Sequence, residues 1–217
     1  MRKIYLAKDA NKILQDYLTA KGYDLELVSS EGLVDPAIAC HPDVFFCRLG
    51  IGTDAPLVRA TESELGCGYP AEAAFNGTCT GRYFIHNLKI TSPRLLDAAH
   101  TAGMELIHVP QGYAKCSTVI IDERSIITYD RGIARACTET ASGGPDVLLV
   151  SPGHVLLPGY KTGFIGGCSG RVDDEVIFNG DLAAHPDFAA IHSFIEERGL
   201  KCTWFDQYPL TDIGSII

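Results

Sequence analysis

Cys116 is the residue of this sequence best placed to act as a nucleophile. It lies in Gln111-Gly112-Tyr113-Ala114-Lys115-Cys116-Ser117, where the neighbouring Lys115 would favour the thiolate, the form that attacks an electrophile. Cys168, behind Gly166 and Gly167, is second, because glycines there let a ligand approach the backbone closely. His86 closes the alternating run Tyr83-Phe84-Ile85 and precedes Asn87, a suitable place for a proton carrier at a strand end. His41-Pro42-Asp43 leads into Val44-Phe45-Phe46 and offers a carboxylate where the chain enters a strand. Asp130 precedes Arg131-Gly132 at a junction from strand to helix. Each residue also has a plainer role open to it. A free cysteine is usually a small buried hydrophobe, a strand-end histidine often serves structure, His-Pro-Asp suits a turn, and Asp130 suits a helix N-cap. A metal set of His41, Asp43, His86 and Cys116 lacks any closely spaced ligand pair, so neither a metal nor a cofactor is expected.

The elements that must position these residues are repetitive. Four segments share one grammar, a helical pattern followed after a break by a short β-rich run. They are Asn11–Lys21 with Leu25–Val28, Pro93–Ala102 with Glu105–Val109, Ile133–Thr140 with Asp146–Val150, and Pro186–Arg198 with Lys201–Phe205. Two further β-like runs precede each of the later three helices, for instance Cys116–Ile121 and Ser125–Tyr129 across Asp122-Glu123-Arg124. The expected unit is therefore β-β-α-β. A cysteine marks the first strand at positions 47, 79, 116 and 168, and Ser215 takes that slot in the tail. The tail has a first strand without a helix and the N-terminus a helix without a first strand, so the two ends are expected to complete one unit together. Between Ala60 and Ala74 the second unit is broken by Gly66, Gly68 and Pro70, and the Gly- and Pro-rich stretch Ser151–Phe164 reads as an inserted loop.

Composition narrows the classes of function. With 217 residues, 46% of them hydrophobic, the chain can bury one core, and a single domain over residues 1–217 is expected. From the charged start Met1–Ala10, neither a signal peptide nor a membrane anchor is expected. Eight cysteines without a CxxC pair read as free thiols. A cytoplasmic protein is expected. A net charge of −9 with no basic cluster disfavours nucleic acid and anionic membranes as partners. It suits a small cationic substrate; a homodimer is an open alternative.

Together, His41-Pro42-Asp43, Ile85-His86-Asn87, Gln111–Ser117, Phe164-Ile165-Gly166-Gly167 and Asp212-Ile213-Gly214-Ser215-Ile216 resemble a bacterial family of unassigned function placed with the guanidino-group-modifying, or pentein, fold. The resemblance spans nearly the whole chain. It implies an α/β, five-bladed β/α propeller, closed by pairing of the N- and C-terminal segments, with a site in its central channel. That fold hosts deiminases, amidinohydrolases and amidinotransferases together with a non-catalytic branch, so fold kinship leaves activity open.

The chemistry implied is attack of a thiolate on a guanidinium carbon, with a histidine moving protons and carboxylates gripping the cation. On this reading Cys116, His86, Asp43 and Asp130 are the catalytic set. His41, Asn87, Lys115, Cys168, Asp212 and Ser215 are the binding set. One departure weakens it: the C-terminal segment that carries the nucleophilic cysteine in the catalytic relatives holds Ser215 here and no histidine. A pentein that binds a small ligand or a protein partner without turnover is the alternative.

Overall fold

A computed structural model describes residues 2–30 and 32–217. In chain order the regular elements are β1 (Lys3–Ala7), α1 (Lys12–Ala20), β2 (Asp24–Val28), α2 (Pro42–Phe45), β3 (Phe46–Arg48), β4 (Leu57–Arg59), β5 (Thr78–Cys79), β6 (Tyr83–His86), α3 (Pro93–Thr101), β7 (Glu105–His108), β8 (Thr118–Asp122), β9 (Ser125–Thr128), α4 (Arg131–Thr138), β10 (Asp146–Leu149), β11 (Ser169–Val172), β12 (Glu175–Phe178), α5 (Phe188–Glu196) and β13 (Lys201–Thr203).

The longer helices form for one shared reason. Each buries a pair of apolar residues four positions apart, Leu14 and Leu18 in α1, Leu95 and Ala99 in α3, Ile133 and Cys137 in α4, Ile191 and Ile195 in α5. Residues at that spacing share a helix face, and full burial of a Leu or Ile stabilises by about 1.5–3 kcal/mol. Local capping sets the starts: Asn11 accepts from Ile13 N, and Asp130 accepts from Gly132 N and Ile133 N.

The strands fall into five small sheets: β1-β2 parallel, β3-β4 antiparallel, and three sheets of three strands, β5-β6-β7, β8-β9-β10 and β11-β12-β13. In each three-stranded sheet the first pair is antiparallel, and the third strand returns parallel after a helix. This overturns the expected five-bladed propeller. The molecule is mixed α/β with separate two- and three-stranded sheets, and no sheet among the described residues is closed.

Two physical causes stand out. After β4, Gly66, Gly68 and Pro70 leave only short 3₁₀ turns at Glu62–Glu64 and Ala71–Ala73, so that segment has no α-helix to return a third strand. At the termini, Tyr5 and Ile217 exchange backbone hydrogen bonds of 2.6 and 3.2 Å. That single reciprocal contact does not grow into a ladder, because Gly214 and Ser215 take positive φ values just before it. The marking cysteines divide as well. Cys47 lies in β3 and Cys79 in β5, whereas Cys116 and Cys168 sit in turns that end just before β8 and β11.

Candidate functional site

The turn before β8 carries Lys115 and Cys116, and Asn76 holds it from the side. Asn76 Oδ1 accepts from the Cys116 amide at 3.0 Å, and the Asn76 carbonyl accepts from the Lys115 amide at 2.9 Å. Its Nδ2 donates to Cys116 Sγ at 3.2 Å and to the Asp43 carbonyl at 3.2 Å. One fully buried amide thus joins the Cys116 turn to α2.

Asp43, also fully buried, gathers the reactive groups. Cys116 Sγ donates to its Oδ2 at 3.0 Å and Ser215 Oγ donates to the same oxygen at 2.7 Å. Lys115 Nζ donates to Ser215 Oγ at 2.9 Å. Ser215 holds φ +72, a left-handed conformation that costs a non-glycine residue about 1–2 kcal/mol. Packing enforces it. Beside it Gly214 (φ +67) lies against His41, and a Cβ there would sit 2.2 Å from the His41 Cβ. Gly167 is likewise obligatory, since its Cβ would meet Asp212 Oδ1 at 2.0 Å.

Asp212 is the second buried carboxylate. Its oxygens accept from Gly214 N at 3.0 Å and Phe164 N at 2.9 Å, and His41 Nδ1 lies 3.9 Å away. Burial, reinforced by Asp43, holds its carboxyl above the usual range despite the pull of His41 and these amides. Burial also lifts the Cys116 thiol well above its ordinary value, and both carboxylates add to the rise. Lys115 is pulled down by burial and partly restored by Asp43. Cys116 is therefore a protonated donor, and the thiolate expected from Lys115 is not formed: that ammonium is directed to Ser215.

Cys116 lines a cavity of about 90 Å³ together with His41, Asp212, Tyr113, Tyr160 and Phe164. Phe164 stacks on Tyr129 at 5.6 Å between centroids and lies 6.3 Å from Tyr113. The 151–164 loop covers the cavity through Leu157, Tyr160 and Thr162. His154 takes no part, because it packs on His185 at 5.2 Å.

The structure brings Cys116, Asp43, His41, Lys115, Asp212 and Ser215 into one cluster, and leaves the other expected residues outside it. His86 is fully buried, with Nε2 donating to the Gly112 carbonyl at 2.8 Å and Nδ1 2.7 Å from Thr91 Oγ1. Burial pushes its pKa down to about 4, so it is a neutral prop for the start of the Cys116 turn. Asp130 caps α4 and accepts from Gln111. Asn87 donates to the Pro110 carbonyl and accepts from Lys89 N. Cys168 donates to the Ile165 carbonyl at 3.1 Å inside an apolar cluster. With His86 held elsewhere, the four-residue metal set does not form, and among the described residues no His, Cys, Asp and Glu group could hold a metal ion.

Asn76 was missed because a lone Asn in Phe75-Asn76-Gly77 reads as turn chemistry. The aromatic wall was missed because Tyr113 comes from the turn before β8 and Tyr160 and Phe164 from the 151–164 loop, which only packing brings together.

Fold and site together define a mixed α/β protein with a buried Cys-Asp-Ser-Lys cluster beneath a small aromatic-walled cavity. The chain belongs to the family described as Family of unknown function (DUF6873), which it matches over residues 53–217. His41 and Asp43 precede the matched stretch. No curated protein and no solved structure matches the chain. Among the described residues no helix is long and apolar enough to cross a membrane.

Proposed function

We propose that the cavity over Cys116 binds a small planar cation of the guanidinium or amidinium type, and that Cys116 acts on it as the nucleophile of a hydrolase or transferase. The observation that carries this reading is that Cys116, whose Sγ lies 3.0 Å from the buried Asp43 Oδ2 behind the wall, lines a cavity that presents Asp212 and three aromatic side chains. Carboxylates and ring faces are the groups that recognise a flat delocalised cation. A bound cation beside Sγ opposes the two carboxylates and lowers the thiol pKa, so that ligand binding itself prepares the nucleophile.

In the first step Sγ bonds to the central carbon and its proton passes to Asp43. The carbon–nitrogen bond breaks, and the leaving amine takes that proton from Asp43, which returns to the carboxylate. Water or a second amine then adds to the thiol-bound carbon and releases the thiol, with the displaced proton returning to Sγ. We place this chemistry in the cytoplasm, a reading supported by eight free cysteines.

A second reading, binding without turnover, is favoured by one observation. Cys116 is held as a proton donor, and no histidine among the described residues is hydrogen-bonded to it. Calorimetry with guanidinium and amidinium compounds from acetamidine to arginine, paired with assays for released ammonia, amine or urea, separates the two. Saturable binding by wild type and Cys116→Ala, weakened about tenfold in Asp212→Asn, with product from wild type alone, supports catalysis. Binding without product selects the second reading, and absence of binding removes both.

A further inference from the structure

Lys115 borders a second cavity, of about 50 Å³, that Cys116 does not line. Its other charged side chains are Arg48, at the end of β3, and Arg171, in β11, and among the described residues no Asp or Glu side chain lines it. In a chain with 27 acidic against 18 basic residues, three cations around one cavity without a carboxylate are unusual, because a buried charge is normally paired.

Among the described residues, each cation's side-chain hydrogen bonds go to neutral groups. Arg48 Nη1 donates to the Thr53 and Ala55 carbonyls at 2.7 and 3.0 Å. Arg171 Nε donates to the Ile121 carbonyl at 2.9 Å, and its Nη1 is buried without any hydrogen-bond partner among the described residues. Lys115 has the Ser215 hydroxyl. Burial lowers the pKa of all three; the acids that oppose the shift on the arginines, Asp54 for Arg48 and Asp174, Asp173 and Asp122 for Arg171, make no ion pair with them, and Lys115 is partly compensated by Asp43, which it reaches only through the Ser215 hydroxyl. The remaining wall is largely apolar and includes Phe46, Ile120 and Val172.

We propose that this cavity is a binding site for a small organic anion, a short-chain carboxylate whose head group meets Arg171, Arg48 and Lys115 and whose tail lies on Phe46, Ile120 and Val172. A carboxylate supplies the planar acceptor that the open Nη1 of Arg171 lacks. The apolar wall suits a hydrocarbon tail better than the fully polar surface of phosphate. The inference does not depend on turnover at Cys116; the two sites share Lys115, whose Nζ donates to Ser215 Oγ.

The test is calorimetric titration of the purified full chain with butyrate, with butylamine and inorganic phosphate as comparison probes. Saturable binding of butyrate, no binding of butylamine, and no displacement by phosphate are expected. Arg171→Gln and Arg48→Gln should each weaken butyrate by about tenfold or more, while Arg135→Gln, on the exposed face of α4, should leave it unchanged. Arg171→Lys keeps the charge but loses the planar fork, so it should also weaken binding; it serves if Arg171→Gln fails to fold by circular dichroism. Absence of saturable butyrate binding, displacement of butyrate by phosphate, or unaltered affinity in the folded Arg171 variants would each overturn the proposal.

Discussion

The turns that carry Cys116 and Cys168 have nearly the same backbone and opposite chemistry. In the first, Ser117 N donates to the Tyr113 carbonyl and Thr118 N to the Lys115 carbonyl; in the second, Cys168 N donates to Phe164 and Ser169 N to Gly166. Each turn leads into the first strand of a three-stranded sheet. Yet Cys116 meets Asp43 and Asn76, which come from 73 and 40 residues away in the chain. Among the described residues the Cys168 thiol is hydrogen-bonded only to the Ile165 carbonyl, three residues back. The chemistry of a thiol is set by the distant groups that pack on its turn, and the turn itself contributes little.

Removing Asp43 is the most severe way to break this contrast. Asp43→Ala leaves Cys116 and Ser215 without their shared acceptor and Lys115 without the carboxylate that most offsets its burial, and should cost about 3 kcal/mol in urea unfolding. The same variant removes one of the charges that raise the Cys116 thiol, so alkylation of Cys116 at pH 8 should accelerate while Cys168 stays inert. Equal acceleration at both cysteines would show that general loosening, not local charge, controls them.

His86 supports the Cys116 turn through the Gly112 carbonyl, and its depressed pKa makes that support sensitive to acid. Its value is about 4 in the folded chain against an ordinary 6.5. Between those values the unfolded chain binds more protons, so the contribution is complete above pH 6.5 and is lost as pH falls toward 4. The loss should approach roughly 3 kcal/mol. Urea midpoints at pH 7.5 and 4.5 measure it, and His86→Gln should flatten the slope in that window; an unchanged slope would count against a buried neutral His86.

Serine at each cysteine sharpens the comparison further. Cys116→Ser keeps a donor to Asp43 and an acceptor for Asn76, and should lie within about 0.5 kcal/mol of wild type. Cys168→Ser places a hydroxyl among Val119, Val176 and Phe178 and should cost about 1–2 kcal/mol. Thermal melts that rank the two in reverse would contradict the environments described for them.

The smallest effect concerns Ser215. Both Ser215→Ala and Ser215→Gly lose the hydroxyl, but glycine relieves φ +72 and should be the more stable by about 1 kcal/mol. A melt showing alanine equal or better would mean that the left-handed backbone carries no strain.

Much of the local structure was legible in the sequence. The four long helical patterns lie within three residues of α1, α3, α4 and α5, and the paired β-like runs before the later helices appear as β5-β6, β8-β9 and β11-β12. The higher-order expectation was not, because a repeated grammar of strands and helices does not state how the resulting sheets join. Within the site, the His41-Pro42-Asp43 and Lys115-Cys116 motifs pointed to residues that do converge. His86 and Asp130 carried equally suggestive neighbours and were drawn into propping and capping.

Apolar pairs four residues apart and local caps such as Asn11 and Asp130 act within a single turn of helix. The sequence alone therefore determined the helices, the short strands and the supply of thiols and carboxylates. Only the tertiary structure decided that Asp43 faces Cys116 and Ser215, that Cys116 shares a cavity with Asp212 and three aromatic side chains, and that Arg48 and Arg171 meet around another. Those contacts join segments up to 172 residues apart, and their energies depend on burial, which exists only once the whole chain has packed.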